Sequence, residues 1–303
     1  MSLETAMFGG DPQRMRWVFL YFLAVLAAAV TPAMAQTSIT LAADPVPIVA
    51  ARINGRPVRL EVVFIIGDML ALNPAVAERL GVRRVPVIGV KLLVDDSTSV
   101  RGRLARPRLV FEDGSAARAF AGIFPVPVTD RADGIIGPGA LPHDVITIVL
   151  GPDLPGAREI VLPLADPDLW AARTQVGQFS LGLGFNVSRA ASVFNRTAAS
   201  ALDGAGLIVA DGELTSEPVI LGLTTMMQPV RTALTIEGLA LGPAFARTRA
   251  PLLGAYEEDA IVVEAQSGNP TPPGVSLGRE ALSVCSSISV NRRTRQLTLR
   301  CAG

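Results

Sequence analysis

Short apolar runs separated by turn residues are the main pattern of this chain. Val46–Ile53 and Pro57–Ile65 flank Asn54-Gly55, and Asn-Gly between two apolar runs is a strong hairpin signal. Similar runs recur as far as the C-terminus, and the 28 glycines and 23 prolines between them suit short strands joined by turns. The pattern therefore predicts a mainly β protein. The other predicted strands are Val85–Leu93, Leu109–Phe111, Ala119–Val128, Val145–Leu150, Glu159–Leu164 and Ala260–Ala265.

The stretch Arg59–Val82 combines a strand, a break at Gly67, a second apolar run and a helix. The helix has good terminal signals, because Asn73 suits the N-cap, Pro74 suits the first helical position and Gly81 follows the last turn. We therefore expect a sharp corner in the chain at Gly67, followed by a short helix.

Pairs of residues at a fixed offset indicate that the second half of the chain repeats the first. Gly55 and Gly177 are separated by 122 residues, and so are Asn73 and Asn195. Asn195 begins the same capped-helix pattern as Asn73. Matching offsets of this kind predict a duplicated unit.

The strand, glycine turn and Leu-Asn-Pro helix start resemble the active-site corner of retropepsin-like aspartic proteases. In that family the turn carries Asp-Thr/Ser-Gly, whereas the corresponding residues here are Ile65, Ile66 and Gly67. A hydrophobic-hydrophobic-glycine segment lies across the active-site loop in these proteases, and a short helix and a closing hairpin follow it. Residues 135–141 and the hairpin predicted over 145–164 resemble that arrangement.

The second corner resembles the family in the same degenerate way. If one residue is allowed as an insertion, Asn186, Val187 and Ser188 stand where Asp-Thr-Ser/Gly would be. Without a gap, the matching residues are Val187, Ser188 and Arg189. Neither alignment supplies an aspartate, and an asparagine cannot carry a negative charge.

The resemblance implies two retropepsin-like β-barrel lobes in a pepsin-like bilobal arrangement, with a short helix after each corner. The implied lobes cover 36–166 and 175–303, with a linker over 167–174, and residues 1–35 are predicted separately as an N-terminal extension and signal peptide. The segment Gly89–Gly102 is a candidate flap hairpin over the groove, with an ordinary surface hairpin as the alternative. The implied groove floor contains Gly67, Ile135, Ile136, Gly137, Leu277 and Gly278.

Aspartic proteolysis needs two carboxylates that share a proton, one acting as the base on a water molecule. An isoleucine can do neither, and the acids nearest the first corner are Glu61 and Asp68. Glu61 lies four residues before Ile65, roughly 13 Å along a strand. We therefore expect a pseudoprotease that binds an extended peptide or a protein partner in the groove between the lobes. The alternatives are a peptidase that uses displaced acids such as Asp68, and a structural envelope protein whose own side chains fill the groove.

The N-terminus has the pattern of an export signal. Arg14 and Arg16 precede the apolar run Trp17–Val30, and Pro32–Ala35 provides an Ala-x-Ala cleavage site before Gln36. This predicts a periplasmic or secreted protein. The alternative is an uncleaved membrane anchor, since the run is only slightly shorter than the span of about 20 residues that a bilayer needs.

The two cysteines and the single histidine limit the remaining chemistry. Cys285 and Cys301 are symmetric about residue 293 in a predicted hairpin, which favours a disulfide over two free thiols in an oxidising compartment. His143 is the only histidine, so the sequence offers no metal-ligand cluster and no Ser/His pair unless His143 serves alone. The formal net charge is zero, so we expect no nucleic-acid partner. Gly182–Gly184 has no following GxxG and no phosphate-loop lysine, so we expect no nucleotide and no other cofactor.

Overall fold

The structure is a computed structural model of the chain. Strands make up most of it. It describes residues 36–93, 99–166, 171–219, 221, 223–247, 261–264 and 272–303. The predicted signal peptide, the tip of the candidate flap and the first part of the predicted linker lie outside these residues. In the part of the chain that is described, no helix is long and apolar enough to cross a membrane.

Most predicted strands of the first half are present, but the predicted strand Ala119–Val128 is only Phe120–Ile123. The two halves are here taken as residues 37–166 and 171–303. The first half contains β1 Ser38–Ala42, β2 Ile48–Ile53, β3 Arg56–Val62, β4 Met69–Leu72, β5 Arg84–Leu93, β6 Ser99–Ala105, β7 Arg108–Phe111, β8 Ala116–Arg118, β9 Phe120–Ile123, β10 Gly134–Ile136, β11 Val145–Val149 and β12 Arg158–Asp166. The second half contains β13 Ala171–Val176, β14 Phe179–Asn186, β15 Ser192–Phe194, β16 Val209–Ala210, β17 Thr215–Pro218, β18 Thr224–Arg231, β19 Thr235–Ile236, β20 Leu239–Ala240, β21 Ala244–Arg247, β22 Ile261–Glu264, β23 Gly274–Gly278, β24 Cys285–Asn291 and β25 Gln296–Cys301.

Short helices follow both corners, as predicted. Helix α1 spans Pro74–Arg79 and helix α2 spans Arg196–Gly204. A 3₁₀ turn at Phe64–Ile66 forms the first corner, and another at Pro138–Ala140 follows β10. The second half has turns rather than a helix after β23. The prediction of a mainly β fold is confirmed.

The strands form two large sheets and one small one. The larger sheet has 13 strands, in the order β1-β11-β24-β25-β12-β13-β14-β23-β15-β21-β18-β16, with β17 paired to β18. The second has 10 strands, in the order β22-β5-β6-β9-β4-β10-β3-β2-β7-β8, and β19 and β20 pair separately. The candidate flap is the antiparallel pair of β5 and β6.

The same crossing of three strands occurs in both halves. In the first half β10 lies between β3, to which it is parallel, and β4, to which it is antiparallel. In the second half β23 is parallel to β14 and antiparallel to β15. The expectation that the Ile135-Ile136-Gly137 segment lies across the first corner is therefore met, and the second half repeats its topology.

The two asparagines predicted as N-caps both anchor the loop that leads into the crossing strand. Asn195 Oδ1 accepts hydrogen bonds from Ala198 N (2.8 Å) at the start of α2 and from Gly274 N (3.1 Å) at the start of β23. Asn73 Oδ1 makes no capping bond and instead accepts from Val128 N at 2.7 Å. The Asn73 amide donates to Thr129 O at 2.9 Å, so Asn73 fixes the loop before β10.

The predicted hairpin of Val145–Leu150 with Glu159–Leu164 is wrong. Strands β11 and β12 do not pair with each other, because the C-terminal hairpin of β24 and β25 lies between them. Ile288 and Leu299 lie on the buried face of this hairpin, beside Ile148 of β11 and Ile160 of β12 on the same face of the sheet. It also carries the predicted disulfide, in which Cys285 and Cys301 are directly opposite each other.

Two glycines let the crossing strands approach the corners. A Cβ atom on Gly137 would lie 1.9 Å from the carbonyl oxygen of Gly67, and a Cβ on Gly278 would lie 2.3 Å from that of Ala190. Both contacts are with backbone atoms, so no side-chain rotation relieves them. Only glycine fits at either position without moving the main chain.

We predict that Gly137→Ala lowers the free energy of unfolding by about 3 kcal/mol, since the methyl group must push two backbones apart. Gly151→Ala is the matched control, because no atom lies within 4 Å of the place that its methyl group would take and its φ is not positive. Its effect should stay below about 1 kcal/mol. Urea unfolding followed by circular dichroism measures both, and equal effects would contradict the proposed close contact.

Candidate functional site

The two halves meet at the first corner. The 3₁₀ turn places Phe64 against Phe185 of β14, with ring centroids 5.9 Å apart and planes inclined by 61°. Gly67 then reverses the chain with φ +57°, a conformation that favours glycine. The corner of one half is therefore held by an edge-to-face aromatic contact with a strand of the other.

A cavity of about 400 Å³ opens beside this contact. Both halves contribute to it, with apolar side chains in the majority and a few polar groups among them. Its lining residues are Glu61, Val62, Val63, Phe64, Pro127, Val128, Thr129, Asp130, Arg131, Ile135, Phe185, Asn186, Val187, Ser188, Pro218, Val219, Leu221 and Leu223. The mixture is typical of a small-ligand or peptide site, and we call this cavity the cleft.

Backbone pairing shows which residues of the second corner match the first. Ile136 lies beside Val62 and Leu277 lies beside Phe185, in equivalent parallel pairs. Counting three residues on from each matched position places Ser188 where Ile65 stands in the first corner.

One backbone hydrogen bond in each half also supports this register. Gly139 N donates to Gly67 O at 3.0 Å, and Glu280 N donates to Ala190 O at 3.0 Å. The second corner therefore consists of Ser188, Arg189 and Ala190, one residue further along than the ungapped alignment indicates. It supplies no carboxylate.

Asn186 and Ser188 form a closed turn at the edge of the cleft. Asn186 Oδ1 accepts hydrogen bonds from Ser188 N (3.2 Å) and from Ser188 Oγ (2.7 Å). Arg189 forms an ion pair with Glu217 at 3.0 Å. The side-chain oxygen of Asn186 therefore already accepts hydrogen bonds from within the corner.

Glu61 is the buried acid on the wall of the cleft, and its carboxylate is fully engaged. Its side chain is 1% exposed, and Oε1 accepts from Arg131 Nη2 at 2.6 Å. Oε2 accepts from Arg131 Nε at 3.2 Å and from Thr129 Oγ1 at 2.8 Å. This forked ion pair raises the pKa of Arg131, chiefly through its hydrogen bonds to Glu61. The carboxylate is therefore not free to activate a water molecule.

Arg131 and Thr129 carry no direct signal in the sequence that marks them as site residues. They lie just after the predicted strand Ala119–Val128, in the polar end of the loop before β10, which resembles an ordinary surface turn in sequence. Their position follows from Asn73, whose amide holds this loop against the first half. The asparagine was visible in the sequence as a helix cap, but its role in anchoring the loop was not.

The residues predicted for the groove floor lie deeper than expected. Of the six, only Ile135 lines the cleft. Ile136 and Leu277 belong to the main core, while Gly67, Gly137 and Gly278 are buried where the backbones cross.

Asp68, proposed as a displaced acid, is exposed and does not line the cleft. Glu61, the other acid near the first corner, is occupied by Arg131. The structure does not bring Asp68 together with a second carboxylate on the wall of this cavity.

Part of the space beneath the candidate flap is filled by apolar side chains. Val90 and Val100 of β5 and β6 pack in one cluster with Ile66 of the corner and with Leu221 and Leu223 of the second half. Leu221 has φ +59°, an uncommon conformation for leucine, and is nevertheless buried. The chain thus inserts its own side chains next to the cleft.

His143 does not take part in the cleft. Its side chain is fully buried, and Nε2 lies 2.8 Å from Asp113 Oδ2. Ser115 Oγ donates to the other oxygen of Asp113 at 2.6 Å, so the aspartate lies between the serine and the histidine. A nucleophilic triad needs the histidine in the middle. This cluster therefore joins a turn to the start of β11 and does not activate Ser115.

No family model matches the sequence, and no curated protein matches it. In a search of solved structures 195 chains match, among them the aspartic proteinase from Irpex lacteus. That crystal structure has a TM-score of 0.42 and 10% identity, over 85% of this chain and 94% of the proteinase. So distant a likeness carries no argument about activity.

Glu61 is much more deeply buried than Arg131, so replacing one or the other should lower the free energy of unfolding by different amounts. Arg131→Gln leaves a carboxylate that is 1% exposed without its cation and should cost about 3 kcal/mol of unfolding free energy. Glu61→Gln should cost about 1 kcal/mol, because the Arg131 side chain is 45% exposed and can turn toward water. Urea unfolding of both variants measures the difference, and a larger loss for Glu61→Gln would contradict it.

Asp113 should make stability depend on pH at the acid end. Hydrogen bonds from Ser115 and then from His143 lower the pKa of Asp113 from 3.8 to about 2. A depressed pKa stabilises the folded protein above the unfolded value, and this contribution is lost as the pH falls from 3.8 through about 2. Since the side chain is half-exposed, Asp113→Asn should cost at most about 1 kcal/mol at neutral pH. Urea unfolding of both proteins should show the difference vanishing near the lower pKa; a difference independent of pH would contradict this.

Proposed function

We propose that this protein is a non-catalytic binding protein with an aspartic-protease-like fold, which takes a peptide or a protein partner in the cleft. The observation that carries the proposal is that the Glu61 carboxylate is already hydrogen-bonded within the protein. This buried carboxylate on the cleft wall is held by Arg131 and Thr129. The cleft thus keeps a place for a ligand, and Asp130, the other acid in its lining, has no free carboxylate on the wall with which to share a proton.

The corners support the absence of aspartic proteolysis. Two carboxylates that share a proton are needed, one from each corner. The matched positions are Ile65 and Ser188, and neither residue is an acid.

Binding requires less from the corners than catalysis does. Extended peptides bind largely through main-chain hydrogen bonds, with pockets for alternate side chains. The cleft offers an apolar wall around Val63, Phe64 and Val187, and polar groups that include Asn186 and Arg131. These groups give affinity and orientation without a reactive centre.

Export to an oxidising compartment is part of the proposal. The disulfide of Cys285 and Cys301 supports it, since such bonds persist mainly in secreted and periplasmic proteins. The predicted signal over residues 1–35 is the second support and comes from the sequence alone.

A structural role is the second candidate, and the apolar cluster beneath β5 and β6 favours it. Ile66, Leu221 and Leu223 fill space next to the corner that a ligand would otherwise enter. If this packing extended through the cleft in solution, the protein would bind no peptide there.

One experiment separates these functions. The protein beginning at Gln36 is incubated with an unfolded protein substrate from acid to neutral pH, with and without a transition-state-analogue inhibitor, and is also titrated with a library of short peptides. We expect saturable binding without inhibitor-sensitive cleavage. Val63→Trp should abolish binding by filling the cleft, whereas Val161→Trp, on the exposed face of β12, should not.

Two outcomes would overturn the proposal. Inhibitor-sensitive cleavage that is lost in Asp68→Asn would identify a peptidase. The absence of any peptide binding to the wild-type protein would favour the structural role.

A further inference from the structure

We propose that Arg131 and Asn186 capture the ligand through uncharged hydrogen-bond acceptors, so that the cleft selects short apolar peptide segments bound by their main-chain carbonyls and discriminates against free carboxylates. The inference rests on the proposed function and specifies the ligand of the same cleft. It follows from the donors that the cleft leaves unused and from the charges around them.

Arg131 retains donors that the protein does not use. A guanidinium carries five N–H groups, and Glu61 takes Nε and one direction of Nη2. Nη1 makes no hydrogen bond with any residue that the structure describes, and Arg131 lines the cleft with 45% of its side chain exposed. Because Glu61 holds the other edge, the free edge keeps a fixed orientation without further loss of side-chain entropy.

Asn186 supplies a second donor, from the other half. Its Oδ1 is identified by the backbone N–H of Ser188, which can only donate. The opposite end of the amide is therefore the NH₂ group, and it has no acceptor within the described part of the chain. Asn186 lines the cleft as Arg131 does. A ligand that spans the halves thus meets a donor on each.

The charges argue that the ligand's acceptors are neutral. Glu61 and Arg131 cancel, and Asp130 adds a negative charge to the cleft wall. Asp130 lies close enough to contribute to the raised pKa of Arg131. A carboxylate bound at the free edge of the guanidinium would lie near both Glu61 and Asp130, two negative charges against one positive charge, and would be repelled. A peptide carbonyl accepts the same hydrogen bonds without that repulsion.

The size and walls of the cleft restrict the ligand further. A volume of about 400 Å³ lies near the lower end for ligand sites, so the cleft encloses only a short segment of a peptide. The apolar wall includes Phe64, Val187 and Leu223. These side chains would cover apolar ligand residues while the two donors hold the main chain.

Asn186→Asp is the decisive variant. The aspartate keeps the oxygen that accepts from Ser188 and so preserves the corner, but it replaces the donor with an acceptor. Asn291→Asp is the matched control, because Asn291 Oδ1 accepts from Arg293 N and Thr294 N in a similar turn. That turn joins β24 to β25 and does not line the cleft.

The probes are apolar tetrapeptides, each made in an acetyl- and amide-capped form and as the free acid, and titrated calorimetrically. The capped forms should bind the wild-type protein at least about tenfold more tightly than the free acids. Asn186→Asp should weaken capped peptides about tenfold, and Asn291→Asp should leave them unchanged. Circular dichroism tests whether both variants fold.

The outcomes distinguish this inference from the proposed function. If neither form of any peptide binds the wild-type protein, both fail. If peptides bind but free acids bind as tightly as capped ones, or Asn186→Asp binds capped peptides normally, the donor assignment is wrong and the binding function stands. A failure of Asn186→Asp to fold leaves the capped-against-free comparison, which decides the inference by itself.

Discussion

The contact of the Gly137 backbone with the Gly67 carbonyl is the constraint on which the first half depends. Strand β10 can lie between β3 and β4 only if the main chain passes within van der Waals distance of the corner. Gly278 makes the equivalent contact with Ala190 in the second half. Because neither crossing residue has a side chain, each crossing strand packs directly against its corner. The opposite side of each corner faces the cleft.

The polar residues of the cleft are positioned by a loop that is anchored next to the first corner. Asn73 stands just after the first corner, and its side chain binds the main chain at Val128 and Thr129. The loop thereby carries Arg131 back over β3, where it meets Glu61. A charge that would be costly to bury alone is matched by its partner, and the ion pair becomes part of the scaffold that supports a binding surface.

The sequence specified local structure well and long-range pairing poorly. The Asn54-Gly55 turn, the helix after Asn73 and the symmetric cysteines rest on short-range chemistry, and the structure has them all. The partners of β11 and β12 could not be deduced, because alternating apolar residues show which face is buried but not which strand covers it.

The same limit applies to the cleft. The corners were located correctly to within one or two residues, since glycines and helix starts mark them in the sequence. Of the six residues predicted for the groove floor, five do not line the cleft, because a resemblance of motifs does not show how deeply the crossing strands are covered. Arg131 was missed since its partner Glu61 is 70 residues away in the chain.

The position of the C-terminal hairpin has a consequence for how this molecule is made. Residues 285–301 fill the gap between β11 and β12, so the larger sheet stays divided until both strands of this hairpin are in place. Pairing strands so far apart in the sequence requires long loops to close first, which slows folding. A chain cut between its halves would yield two fragments with unsatisfied strand edges, which must find each other or aggregate.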